Sequence, residues 1–185
     1  MRQIGTALRL LADDRDGAFP NTTHIPATES WIITLKPYVG DVDEIRIDPA
    51  DPNGADRLQN DGSSYVLNDY IAVPALGPFG NPKPDKYFGN LYRLDKPSQT
   101  ITTFVAADGW RSDHVHARSE WLGGWDKVTN NIAPGRYGGD GSDATTGSSN
   151  YLFADTHVST RSARDFKQAY DDLAADGINI AKPPQ

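Results

Sequence analysis

The amino-acid sequence predicts an α+β fold. Amphipathic helical stripes stand at both ends of the chain, and short strand-like runs lie between them. Tyr151-Leu152-Phe153 followed by Val158-Ser159-Thr160 has the composition of a hairpin, with Ala154-Asp155-Thr156 as its turn. The expected architecture is an N-terminal helix packed on an antiparallel sheet, with long loops and a C-terminal helix.

The 185 residues suit one domain with a sizeable core. Residues 1–15 form its leading helix and 16–185 its globular head. Ile4, Leu8 and Leu11 recur at helical spacing in Met1–Arg15, and Asp16-Gly17 stops the run. No capping residue precedes this helix, so the native helix is expected to be longer, with Met1 an introduced start. Glu29–Leu35 predicts a short helix ended by Pro37. Ile45-Arg46-Ile47 reads as a short strand, Ser63–Val73 as a longer one, and Ile101–Ala106 as a third closed by Asp108-Gly109. Pro74–Asp85 and Gly135–Ser149 read as loops. Ser162 begins the last helix, with Asp165 at capping-box spacing, a stripe of Phe166, Ala169, Tyr170 and Leu173, and Gly177 as its stop.

Composition removes several functions. The net charge is −7 and Lys and Arg are scattered, so no basic stripe offers itself to a nucleic acid. The absence of Cys excludes disulfides, thiolate catalysis and Cys-ligated zinc. No apolar run approaches the length of a membrane span. The chain carries no Gly-x-Ser-x-Gly elbow, phosphate loop or dinucleotide fingerprint.

Two metal sites can be drawn from the residues that remain. His114-x-His116 places two imidazoles on one side of an extended segment, and Asp155 and His157 could complete a zinc cluster. Asp140 and Asp143, in the Gly/Ser-rich loop, could offer hard oxygens to calcium. The plain alternatives are polar surface for the histidines, a solvated loop for the aspartates, and turn hydrogen bonds for Asp155. Trp110, Trp121 and Trp125 cluster in one segment and suit either a core or a binding surface for a ligand or glycan.

The two ends together resemble one family. Arg2-Gln3-Ile4-Gly5, Ala7-Leu8, Ala12-Asp13-Asp14 and Asp16-Gly17-x-Phe19-Pro20 look like the segment that follows the cleaved N-terminal helix of type IV pilin-like proteins. Phe153-Ala154-Asp155-Thr156-His157-Val158 resembles the Phe-Ala-Asp-Gly-His-Val signature of the large pseudopilin-like family. The resemblance implies a pilin-like fold and a structural role, without catalysis or a required cofactor. The chain would be a subunit of a type II secretion-like pseudopilus or a type IV pilus-like filament that exports protein across the envelope. It would sit at the periplasmic face of the inner membrane, anchored only through a missing upstream helix. Its partners would be other pseudopilin subunits and the secretion or assembly machinery. Ile4, Leu8 and Leu11 would lie on the helix that contacts neighbouring subunits, and Phe153, Asp155 and His157 would be structural signature residues. Calcium is bound by some members of this class. Thr156 stands where the family has Gly, which implies either a different turn or a strained Asp155. An envelope ligand- or glycan-binding module and a metal-dependent hydrolase are the competing readings.

Overall fold

The computed structural model describes residues 1–22, 30–75, 83, 87–139 and 144–185. Its elements run α1 (Arg2–Asp14), α2 (Trp31–Leu35), α3 (Gly54–Gln59), β1 (Tyr65–Leu67), α4 (Asp69–Ala72) and β2 (Ile101–Val105). There follow α5 (Ala117–Glu120), α6 (Trp125–Asn131), β3 (Ser148–Phe153), β4 (Val158–Ser162) and α7 (Ala163–Ala175). The four strands form one antiparallel sheet in the order β1-β2-β3-β4. The fold is therefore α+β.

Strand alternation sends side chains to two separate cores. On one face Tyr65, Leu67, Val105 and Leu152 pack with Ile4, Leu8 and Leu11 of α1. On the other, Val66, Phe104, Tyr151 and Phe153 pack with Trp121, Phe166 and Tyr170. A register shift between Ile101 and Thr103 re-aims β2 against β3. Ile101 then faces the α7 side and Thr102 turns its hydroxyl onto the Leu152 carbonyl, 3.2 Å away.

Helix α1 reaches the sheet through small residues. A Cβ on Gly5 would lie 2.7 Å from Leu152 Cδ1 and 3.5 Å from the Thr156 carbonyl oxygen. The bare glycine thus seats the helix against the β3–β4 hairpin. At the other end, Ser162 caps α7 by accepting from Asp165 N. Gly177 at φ 68° closes it, with Ile178 N bonded to Leu173 O and Gly177 N to Ala174 O. That double bond is a Schellman stop.

Two strand expectations fail. Residues 43–46 form a 3₁₀ turn, where a strand through Ile45–Ile47 was expected. The reason is Arg46: its buried guanidinium donates to the carbonyls of Leu58 and Gly62, which holds the segment in a tight turn over α3. The Ser63–Val73 run is a strand only over Tyr65–Leu67. Asn68 ends it by accepting from Tyr70 N and donating to the Ile101 and Ala181 carbonyls, so capping of α4 overrides the β propensity of Tyr70 and Ile71. In the expected 135–149 loop, Tyr137 and Ser148 exchange backbone bonds and Ser148 already belongs to β3.

Candidate functional site

Four nodes of buried or half-buried polar side chains tie loops together around the sheet. Asp113 precedes α5. Its Oδ2 accepts from the hydroxyls of Thr22 and Ser30, and its Oδ1 accepts from His114 Nδ1 at 2.8 Å. Its backbone carbonyl takes the Trp31 indole N–H at 2.7 Å. Burial works against the Asp113 charge, but the bonds from His114, Ser30 and Thr22 together outweigh it. They hold the carboxyl below the ordinary aspartate range.

Asp69 shows the opposite balance. Its Oδ2 accepts from Arg118 N at 3.0 Å, with the guanidinium Nε 3.5 Å away. Burial is the larger effect, and the Asp69 carboxyl is raised above its ordinary value.

In the third node Arg57 and Asp51 form an ion pair at 2.8 Å with side chains 2% and 0% exposed. Arg57 also donates to the carbonyls of Ser63, Trp110 and Ala107, so a single guanidinium joins three loops. Fourth, Asp48 accepts from the hydroxyls of both Tyr65 and Tyr137. Burial, the hydrogen bond to Asp48 and its charge push Tyr137 up to about 12, and burial raises Tyr65 further.

The expected zinc set does not assemble. His114 is buried on Asp113, and His116 Nδ1 lies 3.3 Å from Glu120. Their rings are 5.4 Å apart. Asp155 and His157 instead form their own pair at the β3–β4 turn, 2.6 Å apart. Among the described residues, no three His, Cys, Asp or Glu side chains are grouped to hold a metal ion. Asp140 and Asp143, the expected calcium pair, lie outside the described residues.

The signature hairpin is a packing device. Phe153 is buried beneath the His157 ring, with centroids 4.3 Å apart and planes within 7°. Asp155 Oδ1 also accepts from His157 N. The strained residue is neither a re-formed turn nor Asp155: Thr156 itself sits at φ 76°. Thr156 N bonds Phe153 O and Phe153 N bonds His157 O, which makes a three-residue loop whose last position is left-handed. A β-branched residue there costs about 1–3 kcal/mol.

The tryptophans divide. Trp121 is fully buried against Phe104, so it is core. Trp110 and Trp125 are half-buried, the first edge-on to His116 and the second beside Tyr170. The N-terminal helix also needs correcting. Ile4, Leu8 and Leu11 are 2%, 3% and 0% exposed inside this chain's own core. They meet the sheet, and the stripe open to a neighbour is Gln3, Thr6, Leu10 and Asp13.

Sequence reasoning passed over Arg57, Asp51, Asp48 and Arg46. Their only signal was a charged or turn-forming run between residues 43 and 57. The partners lie 50 or more residues away in several cases, as with Arg57 and the Ala107 carbonyl. No described helix is long and apolar enough to cross a membrane. A scan against protein-family models matches none, and searches of curated proteins and of solved structures return no match.

Proposed function

We propose that this chain is a structural assembly domain: the head of a pilin-like subunit in a type II secretion-like pseudopilus or related filament. Its partners are further copies or sister subunits and the secretion machinery, and its place is the periplasmic side of the envelope. The observation that supports this reading is the division of α1. One stripe, Ile4, Ala7, Leu8 and Leu11, builds the domain's own core, while Leu10 stands 47% exposed on the other. The signature hairpin touches the same helix at Gly5, which gives both ends of the family resemblance one structural reason. The four polar nodes fit a scaffold, because their groups are spent on holding loops.

Site-specific cross-linking tests the proposal. The sequence has no Cys, so Thr6→Cys carrying a photo-cross-linker reports from one position. In the native envelope fraction the result expected is a ladder of cross-linked copies or sister subunits. Monomer alone counts against the reading.

A further inference from the structure

The surface of α1 that remains open has a specific composition. Leu10 is exposed, and Asp13 and Asp14, three and four residues on, share its side of the helix. Asp16 follows, also exposed. These acids stand where the helix dipole is negative, with the exposed Arg15 as C-cap between Asp14 and Asp16. Asp13 is met by Arg9 at 2.9 Å and by the Tyr92 hydroxyl at 2.6 Å, and Asp14 accepts from the Tyr38 hydroxyl at 3.0 Å; Asp14 and Asp16 make no ion pair among the described residues. The placement disfavours the isolated helix and suits a cation brought from elsewhere.

A second surface of the domain carries the complement. Beside α7 an open groove of about 670 Å³ is lined by Ile101, Leu173 and Ile178 with Arg161 and Lys182. No Asp or Glu is among its described lining residues, in a chain of net charge −7. Arg161 is half-buried and lies 5.1 Å over the Phe153 ring. It makes no ion pair among the described residues. Ile178 is 45% exposed at the groove's apolar floor. Two acids of α7 are engaged, Asp171 with Lys167 at 2.7 Å and Asp172 with Gln168 at 2.8 Å, while Asp165 and Asp176 are exposed at its two ends.

We propose that the Arg161/Lys182 groove of one copy receives the Leu10/Asp13/Asp14/Asp16 end of α1 from a second copy. The inference rests on the assembly reading above and names its contact. Leucine meets the apolar floor, and the carboxylates meet the two cations. Knob and groove are different surfaces of the same chain. Such a contact is heterologous and repeats without closing into a dimer.

A charge exchange tests it. Self-association is measured by sedimentation at high protein concentration, at low and high salt. The wild-type chain should associate weakly and lose that association in salt. Arg161→Glu/Lys182→Glu should weaken it at least tenfold, and so should Asp13→Lys/Asp14→Lys/Asp16→Lys. Each variant alone opposes like charges, but an equal mixture should associate again, because each offers the other a complementary surface. Lys182→Glu alone, at an exposed position, guards against a folding defect at Arg161 and should weaken association in the same direction. Wild-type association in Lys182→Glu and in both multiple variants, or a mixture that stays monomeric, overturns the proposal. If the Thr6 cross-links persist unchanged in the groove variants, the assembly reading stands and this contact falls. If the cross-links are also missing from the wild type, both fall.

Discussion

The two faces of the sheet are closed by different means. On the α1 side a helix lies close to the strands, using Gly5, Ala7 and Ala12 to shorten the distance and Ile4, Leu8 and Leu11 to fill it, with Trp31 of α2 and Ile71 of α4 beside it. On the α7 side the filling is aromatic. Phe104 meets Trp121 edge-on at 5.3 Å, and Tyr151 stacks on Phe166 at 4.6 Å. Helices α5 and α6 share that side with α7. Several elements close each face, α5, α6 and α7 on the aromatic side and α1, α2 and α4 on the other. What sets the α1 side apart is the close approach at Gly5 and the outer stripe of Gln3, Thr6, Leu10 and Asp13 that its leading helix keeps open. That asymmetry is the physical content of the assembly reading.

The largest expected effect compares the faces directly. Trp121→Ala should cost about 3–5 kcal/mol and Leu8→Ala about 2–5 kcal/mol in urea unfolding. Both losses should belong to one cooperative transition, since both cores draw on β1, β2 and β3. Two separate transitions would break the picture of one sheet serving both. A smaller effect of opposite sign belongs to the hairpin that α1 touches. Thr156→Gly removes the left-handed strain and should stabilise the fold by about 1 kcal/mol, raising Tm by about 2–4 °C. An unchanged or lowered Tm would show that the strain is relieved in some other way.

The smallest effect is in pH, and it separates the buried Asp69 carboxylate from the half-buried Asp113 carboxylate, near the loops that flank α5. Asp69 is raised by burial, so the folded state holds its proton more tightly than the unfolded chain. The stability it lends is complete below the unfolded value near 3.9 and is lost as pH rises through the higher folded value. Asp113 is held low by its hydrogen bonds, so its contribution is complete above about 3.9 and is lost as pH falls through the lower folded value. Asp69→Asn should therefore flatten the decline in urea midpoint above pH 4 while leaving the acid-side loss in place. An unaltered slope above pH 4 would contradict the assignment.

Much of this fold was legible because it is local. The α1 and α7 stripes, the Ser162 cap, the Gly177 stop and the Tyr151–Thr160 hairpin all arise from residues close together in the chain. The failures came where distant partners decide. Asn68 prefers to cap α4 because the Ile101 and Ala181 carbonyls are there to receive its amide. Arg46 turns the chain because carbonyls of the α3 region surround it. For the candidate site, the His-x-His pattern suggested convergence, but His114 was claimed by its neighbour Asp113 and His157 by Asp155. Helical spacing correctly put Ile4, Leu8 and Leu11 on one stripe, yet spacing alone does not say whether a stripe meets its own sheet or another copy. Thr156 takes a left-handed conformation in spite of its side chain, since the hairpin bonds on either side fix the turn.

The measurement that tests the central claim most directly combines assembly with stability at one residue. Leu10→Lys changes only the outer stripe of α1, so its unfolding free energy should match the wild type within about 0.5 kcal/mol. In the Thr6→Cys background the same change should remove the cross-linked ladder. A ladder that survives with Lys at position 10 would show that the outer stripe of α1 is not where copies meet.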